Sequence, residues 1–153
     1  MKLFLVQHGE QKPEEQDSSE PLSEKGIADV AAVAKWAQQA GVTVDEIFHS
    51  AKLRAKQTAE IFAKYLSPPH EIEEKDGLKP LDDITNWLDT LEYYQGNLML
   101  VGHLPFMSKL ASFLLAHTQD EEPVRFVQGG LVCLEKDKDD TWHLLYAVTP
   151  NVV

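Results

Sequence analysis

The sequence predicts a single-domain α/β fold over residues 1–153, a three-layer sandwich with a mostly parallel central sheet, helices on both faces and an antiparallel contribution near the C-terminus. Three observations predict it. Short continuous apolar runs alternate with stretches of helical periodicity, the pattern of a parallel sheet buried on both faces. The length of 153 residues suits one hydrophobic core and leaves little room for a second. Late in the chain, two strand-like runs follow one another with only a charged turn between them, which is an antiparallel signal.

Leu3–Val6 is the first apolar run and reads as a strand buried on both faces. Residues 10–21 are polar, with Glu14, Glu15, Asp17, Ser18 and Ser19, and read as a loop. Ser23 suits a helix cap, although Gly26 stands where a capping box prefers Glu or Gln. Ile27, Val30, Ala34 and Ala37 then mark one helix face, and Gly41 supplies the stop. Asp45–His49 is a weaker strand. The next helix takes Ser50 as its cap, carries Ala55, Ala59, Phe62 and Leu66 on one face and stops at Pro68-Pro69. Residues 70–81 are irregular apart from a short strand at Glu71–Glu74. Ile84, Trp87, Leu88 and Leu91 give another amphipathic helix, and Leu98–Val101 a second buried strand. Pro105 suits the first turn of a helix bearing Met107, Leu110, Ala111 and Leu114. Leu131–Leu134 and Trp142–Val148 close the chain as an antiparallel pair around the turn Lys136–Asp140. Trp36, Trp87 and Trp142 fall on these amphipathic elements and read as packing residues.

Composition narrows the function classes. The net charge of −11 comes without a Lys/Arg cluster, so nothing supplies the basic face that nucleic-acid binding needs. The N-terminal apolar run is too short for a signal peptide or a membrane span, and the single Cys133 has no intramolecular partner. These features lead us to expect a cytoplasmic protein with no membrane association; they leave the oligomeric state open.

Ligands of open α/β sheets bind beyond the carboxyl ends of the strands. Three predicted strands end in histidine-bearing segments: Gln7-His8-Gly9, His49-Ser50-Ala51-Lys52-Leu53-Arg54 and Gly102-His103-Leu104-Pro105. If the first and third strands are neighbours, His8 and His103 face one crevice, and the adjacent glycines let backbone and ligand approach closely. Arg54 lies about one turn into its helix, where a guanidinium and the positive end of the helix dipole can grip a phosphate together. Two imidazoles, one Arg and a helix N-terminus suit phosphoryl transfer better than acyl transfer. The chain carries no Gly-x-Ser-x-Gly elbow, P-loop or Gly-x-Gly-x-x-Gly turn. A zinc site from His8, His49 and His103 is disfavoured, because no His-Glu-x-x-His spacing or cysteine pair accompanies it.

Four segments in order carry a family resemblance: Leu-Val-Gln-His-Gly-Glu, Pro21–Gly26, Ser50–Thr58 and Val101–Pro105. The chain resembles the histidine phosphatase superfamily, the phosphoglycerate-mutase-like fold. Its short length and the Gly-His-Leu-Pro segment resemble the small phosphohistidine phosphatases of the SixA type. The resemblance implies a metal- and cofactor-independent phosphatase. In it His8 is the nucleophile, Arg54 binds the phosphoryl oxygens, and His103 bonds the same group and stabilises charge in the transition state. It implies phosphohistidine as substrate, on a partner such as a phosphotransfer domain.

The main departure is Gln7, where the family usually has Arg. Its amide can contact phosphate without charge, or it is simply a polar strand end. Lys12, Lys52, Lys56 and Arg125 are the candidate substitutes for the missing cation. No leaving-group acid is fixed by the sequence; Asp82, Asp83 and the Glu10–Asp17 stretch are candidates. That gap agrees with a phosphoramidate substrate, whose leaving nitrogen can arrive protonated. The alternatives are a small-molecule phosphomonoesterase and a phospho-binding protein that does not turn over. His49 either lines the site or sits at the surface. The acidic loop 10–20 is either a solvated connection or an element that selects a partner.

Overall fold

A strand that is apolar at every position must be covered on both sides, and the computed structural model, which describes residues 1–153, shows the cover. Strands β1 (Lys2–Gln7), β2 (Glu46–His49), β3 (Glu73–Glu74), β4 (Leu98–Gly102), β5 (Leu131–Lys136) and β6 (Trp142–Val148) form one sheet in the order β3-β2-β4-β1-β5-β6. β1, β2, β3 and β4 run parallel, while β5 and β6 are antiparallel additions on the β1 side.

Side chains alternate across the sheet with the period of two that strands impose. Phe4, Val6, Met99, Val101 and Cys133 pack against helices α1 (Glu24–Gln39) and α2 (Leu53–Leu66). Leu3, Leu5, Leu98, Leu100 and Leu134 pack against helices α3 (Thr85–Tyr93) and α4 (Phe106–Ala116). The three expected layers are therefore present. β6 is mostly exposed and forms the sheet edge. Trp87 is buried, and its Nε1 donates to the Gly77 carbonyl; Trp36 meets Tyr146 edge-on. No helix is long and apolar enough to cross a membrane.

Three local expectations need correction. Ile27 is 49% exposed; the buried face of α1 is Gly26, Val30, Val33, Ala34 and Ala37. Gly26 does not forfeit a capping box by accident. A Cβ there would lie 2.1 Å from the Glu10 carbonyl oxygen, so only glycine lets the first loop cross the start of α1. Ser23 caps α1 as expected, accepting from Gly26 N–H at 3.0 Å. Ser50, by contrast, does not cap α2: Lys52 holds that position without a side-chain bond. Arg54 is thus the second residue of α2, deeper in the dipole's positive end than expected.

Candidate active site

β1 and β4 are hydrogen-bonded neighbours, with Gln7 opposite Gly102, so the residues just past their carboxyl ends meet at one site. His8 follows β1, and its backbone N–H donates to the Gly102 carbonyl at 2.9 Å. His103 follows β4. The two rings lie 5.0 Å apart between centroids, tilted by 54°. Arg54 reaches in from the first turn of α2. Its place is tied to β1 through Thr58, whose hydroxyl donates to the Arg54 carbonyl at 2.8 Å and accepts from Gly9 N–H at 3.1 Å.

A hydrogen bond to a carbonyl fixes the tautomer of His8, and that of His103 follows from the direction of its bond to Ser50. His8 Nδ1 is 2.7 Å from the Gly9 carbonyl oxygen, which can only accept. Nδ1 therefore carries the proton, and the lone pair sits on Nε2. Burial holds the His8 pKa below the ordinary 6.5; the Gly9 bond opposes this, Arg54 adds to it, and Glu20 opposes it. His103 is pushed down to about 3, first by burial and then by the charges of His8, Arg54 and Lys52. Both rings are neutral near pH 7, as a nucleophile requires. Ser50 Oγ lies 2.6 Å from His103 Nε2. With that hydroxyl donating, the His103 proton resides on Nδ1.

In the whole chain, three buried side-chain polar atoms lack a hydrogen-bond partner: Gln7 Oε1, Arg54 Nε and His103 Nδ1. All three belong to the segments the sequence marks. A buried donor left unmet costs about 1–3 kcal/mol, so an anion accepting from Arg54 and His103 would relieve that cost. The Gln7 amide, turned by half a rotation, offers NH2 in place of its oxygen.

Other candidates are placed elsewhere. Asp82 accepts from Lys79 N–H and Asp83 from Thr85 N–H, so both carboxylates serve local turns. The Glu10 carboxylate takes the Ser23 hydroxyl at 2.7 Å. Among the proposed substitute cations, Lys52 is exposed but its charge is felt at His103; Arg125 faces Glu122 with its side chain 86% exposed. His49 is 3% exposed, not a surface residue, and its Nδ1 donates to the Ser50 carbonyl at 2.8 Å. No three His, Cys, Asp or Glu side chains converge as metal ligands.

Sequence reasoning missed three residues here: Ser50 as the partner of His103, Thr58 as the tie between β1 and α2, and Glu20. Ser50 and Thr58 stand at the two ends of the Ser50–Thr58 motif, which is the signal that marks them. Glu20 had no motif. Its carboxylate lies 3.9 Å from Arg54 Nη1.

The sequence pattern of the histidine phosphatase superfamily, branch 1, matches residues 3–82, slightly more than half of the chain. The chain belongs to that superfamily. An uncharacterised protein of Picosynechococcus is 31% identical over 141 residues, covering 88% of this chain and 84% of its own. Escherichia coli phosphohistidine phosphatase SixA is 24% identical over 155 residues, 98% of this chain and 94% of the relative. Among solved structures, the histidine phosphatase SixA complexed with tungstate superposes with a TM-score of 0.85 at 24% identity, covering all of both chains. The α-ribazole phosphatase of Shigella flexneri shares the fold at a TM-score of 0.75, 16% identity and coverage of 98% and 97%. His103 lies beyond the matched residues 3–82, so its place in the site rests on the geometry above.

Proposed function

We propose that this chain is a phosphatase working through a phosphohistidine intermediate on His8, with protein phosphohistidine as its preferred substrate. The observation that carries the reading is the set of unmet polar atoms around His8, two of them donors on Arg54 and His103. Phosphoryl oxygens accept from both, while the Nε2 lone pair of His8 faces phosphorus.

The chemistry is two in-line displacements. His8 Nε2 forms a bond to phosphorus as the substrate's P–N bond breaks, its electron pair going to the leaving nitrogen. A phosphohistidine that arrives protonated leaves as neutral imidazole and needs no acid from the enzyme. This suits a crevice where Asp82, Asp83 and Glu10 are committed to other bonds. His8 becomes a cationic ring, its Nδ1 proton still held by the Gly9 carbonyl. Water then attacks phosphorus, the P–Nε2 bond breaks with its pair returning to His8, and the water's proton leaves with phosphate. Arg54 and His103 hold the equatorial oxygens in both steps. No metal or cofactor enters either step. The partner we propose is a phosphohistidine-bearing domain that presents its side chain beyond the carboxyl ends of β1 and β4.

Brief, cold-quenched exposure to a phosphohistidine peptide followed by mass spectrometry tests the reading. A transient phosphoryl adduct on His8, with phosphate release, is expected. Equal efficiency on sugar phosphates would move the assignment to a small-molecule phosphomonoesterase. Peptide binding with neither adduct nor phosphate release would make the chain a binding protein.

A further inference from the structure

The charges at the crevice do not match a simple anion trap. A site for a phosphoryl dianion gathers cations, yet Gln7 is neutral and both histidines are neutral. Arg54, with its side chain 15% exposed, is the one largely buried cation there, the exposed Lys52 adding its charge at His103, and a carboxylate stands beside Arg54. The backbone that carries that carboxylate is held in place. Glu20 adopts a left-handed backbone, φ 48°, which is unfavourable for a residue with a Cβ. Its N–H donates to the Asp17 carbonyl at 3.0 Å, and Lys12 N–H to the Pro21 carbonyl at 2.7 Å. The Gln11–Leu22 bridge closes the base of the loop. Glu20 therefore sits at a clamped neck, while residues 13–19 lie exposed beyond it.

The contact with Arg54 is long. At 3.9 Å it exceeds the roughly 2.7–2.9 Å of a charge-assisted hydrogen bond, and Arg54 Nε stays without a partner. Glu20 thus lowers the positive field without using up the donors. It is also near enough to His8 to favour the protonated ring there. A carboxylate so placed repels a dianion that brings nothing else, and it attracts a phosphoryl group whose neighbouring atom is cationic.

We infer that Glu20 is a specificity-determining residue, whose carboxylate offsets Arg54 and favours phosphoryl groups attached to a positively charged nitrogen over phosphate esters. The inference rests on the phosphohistidine-phosphatase reading and extends it, naming the residue that separates phosphoramidates from phosphomonoesters.

Two compounds that differ in this respect make the test: phosphoramidate, with an ammonium-like nitrogen on phosphorus, and p-nitrophenyl phosphate, with an uncharged oxygen. Binding is measured by calorimetry in a His8→Ala background, with and without Glu20→Gln, so the outcome does not depend on turnover. Turnover is measured in the otherwise intact chain. Glu20→Gln is expected to lower the preference for phosphoramidate about 10-fold in both readouts, and to tighten inhibition by inorganic phosphate. Glu20→Asp retains most of the preference, which a merely structural role for Glu20 does not predict.

An equal change for both compounds, upward or downward, overturns the inference. An upward one makes Glu20 a gate over Arg54, and a downward one makes it a structural residue. A loss greatest for esters of poor leaving groups overturns it too, in favour of a proton donor. Failure of the underlying reading shows separately, as the absence of a His8 adduct in the wild type.

Discussion

The two ends of β1 and β4 are finished in opposite ways. At the amino end, Asn97 closes the backbone: its Oδ1 accepts from Lys2 N–H at 3.0 Å, its N–H donates to Asp45 Oδ2 at 2.7 Å, and its Nδ2 donates to the Thr43 carbonyl at 3.2 Å. At the carboxyl end, Gln7, Arg54 and His103 each keep a buried polar atom without a partner. One end is tied for stability, and the other holds its donors in reserve. Unmet groups are tolerated where a ligand completes them, because the cost in the free state returns as affinity when the ligand binds.

The difference predicts a division of effects between the ends. Replacing the proposed nucleophile should be most severe: His8→Ala is expected to lower kcat/KM by roughly 10^4-fold or more, with the protein still folded by circular dichroism. Retention of more than a tenth of the activity would remove His8 from the reaction. Next comes a gain. Gln7→Arg adds a charged donor beside the crevice, and a charged hydrogen bond is worth about 1.5–3 kcal/mol, or ~10- to 100-fold in kcat/KM. An unchanged or lower value in steady-state assays would mean that Gln7 does not contact phosphate. At the opposite end, Asn97→Ala removes the two side-chain hydrogen bonds, to Lys2 N–H and the Thr43 carbonyl, in a partly exposed place, and keeps the backbone bond to Asp45. It should cost about 1–2 kcal/mol in denaturant unfolding and leave kcat/KM within about twofold, since no bond in the crevice changes. A comparable loss of activity would show that the two ends are not independent.

Much of this is legible in the sequence. Leu3–Val6 and Leu98–Val101 are apolar throughout, and that alone requires cover on both faces. The Gly-His pairs after these strands placed two imidazoles at one crevice once the strands were neighbours. What the sequence hid is what depends on distant contacts. Ser50 has the composition of a helix cap, yet its hydroxyl is drawn to His103, 53 positions away. Gly26 looks like a weak capping residue because the backbone of Glu10 that excludes any Cβ lies across a loop. Glu20 is one acid among several in a polar stretch. Only its left-handed backbone and the closure of that loop bring it to Arg54.

The smallest effect concerns pH and sharpens the contrast between the ends. In the proposed mechanism His8 attacks only as the neutral ring, and its pKa in the folded protein lies below 6.5, chiefly through burial. Activity should therefore be fully present near pH 7 and lost as pH falls, with the acid limb of kcat/KM below 6.5, where an exposed histidine would titrate. The substrate titrates as well, but identically for every variant, so differences between variants belong to the enzyme. Gln7→Arg should move the limb lower still, because a second guanidinium beside His8 disfavours the imidazolium. Asn97→Ala should lower the melting temperature and leave the limb where it was. A limb that moves with Asn97→Ala and stays fixed with Gln7→Arg would mean that the titration reports unfolding instead of His8, and the two ends would then act as a single cooperative unit.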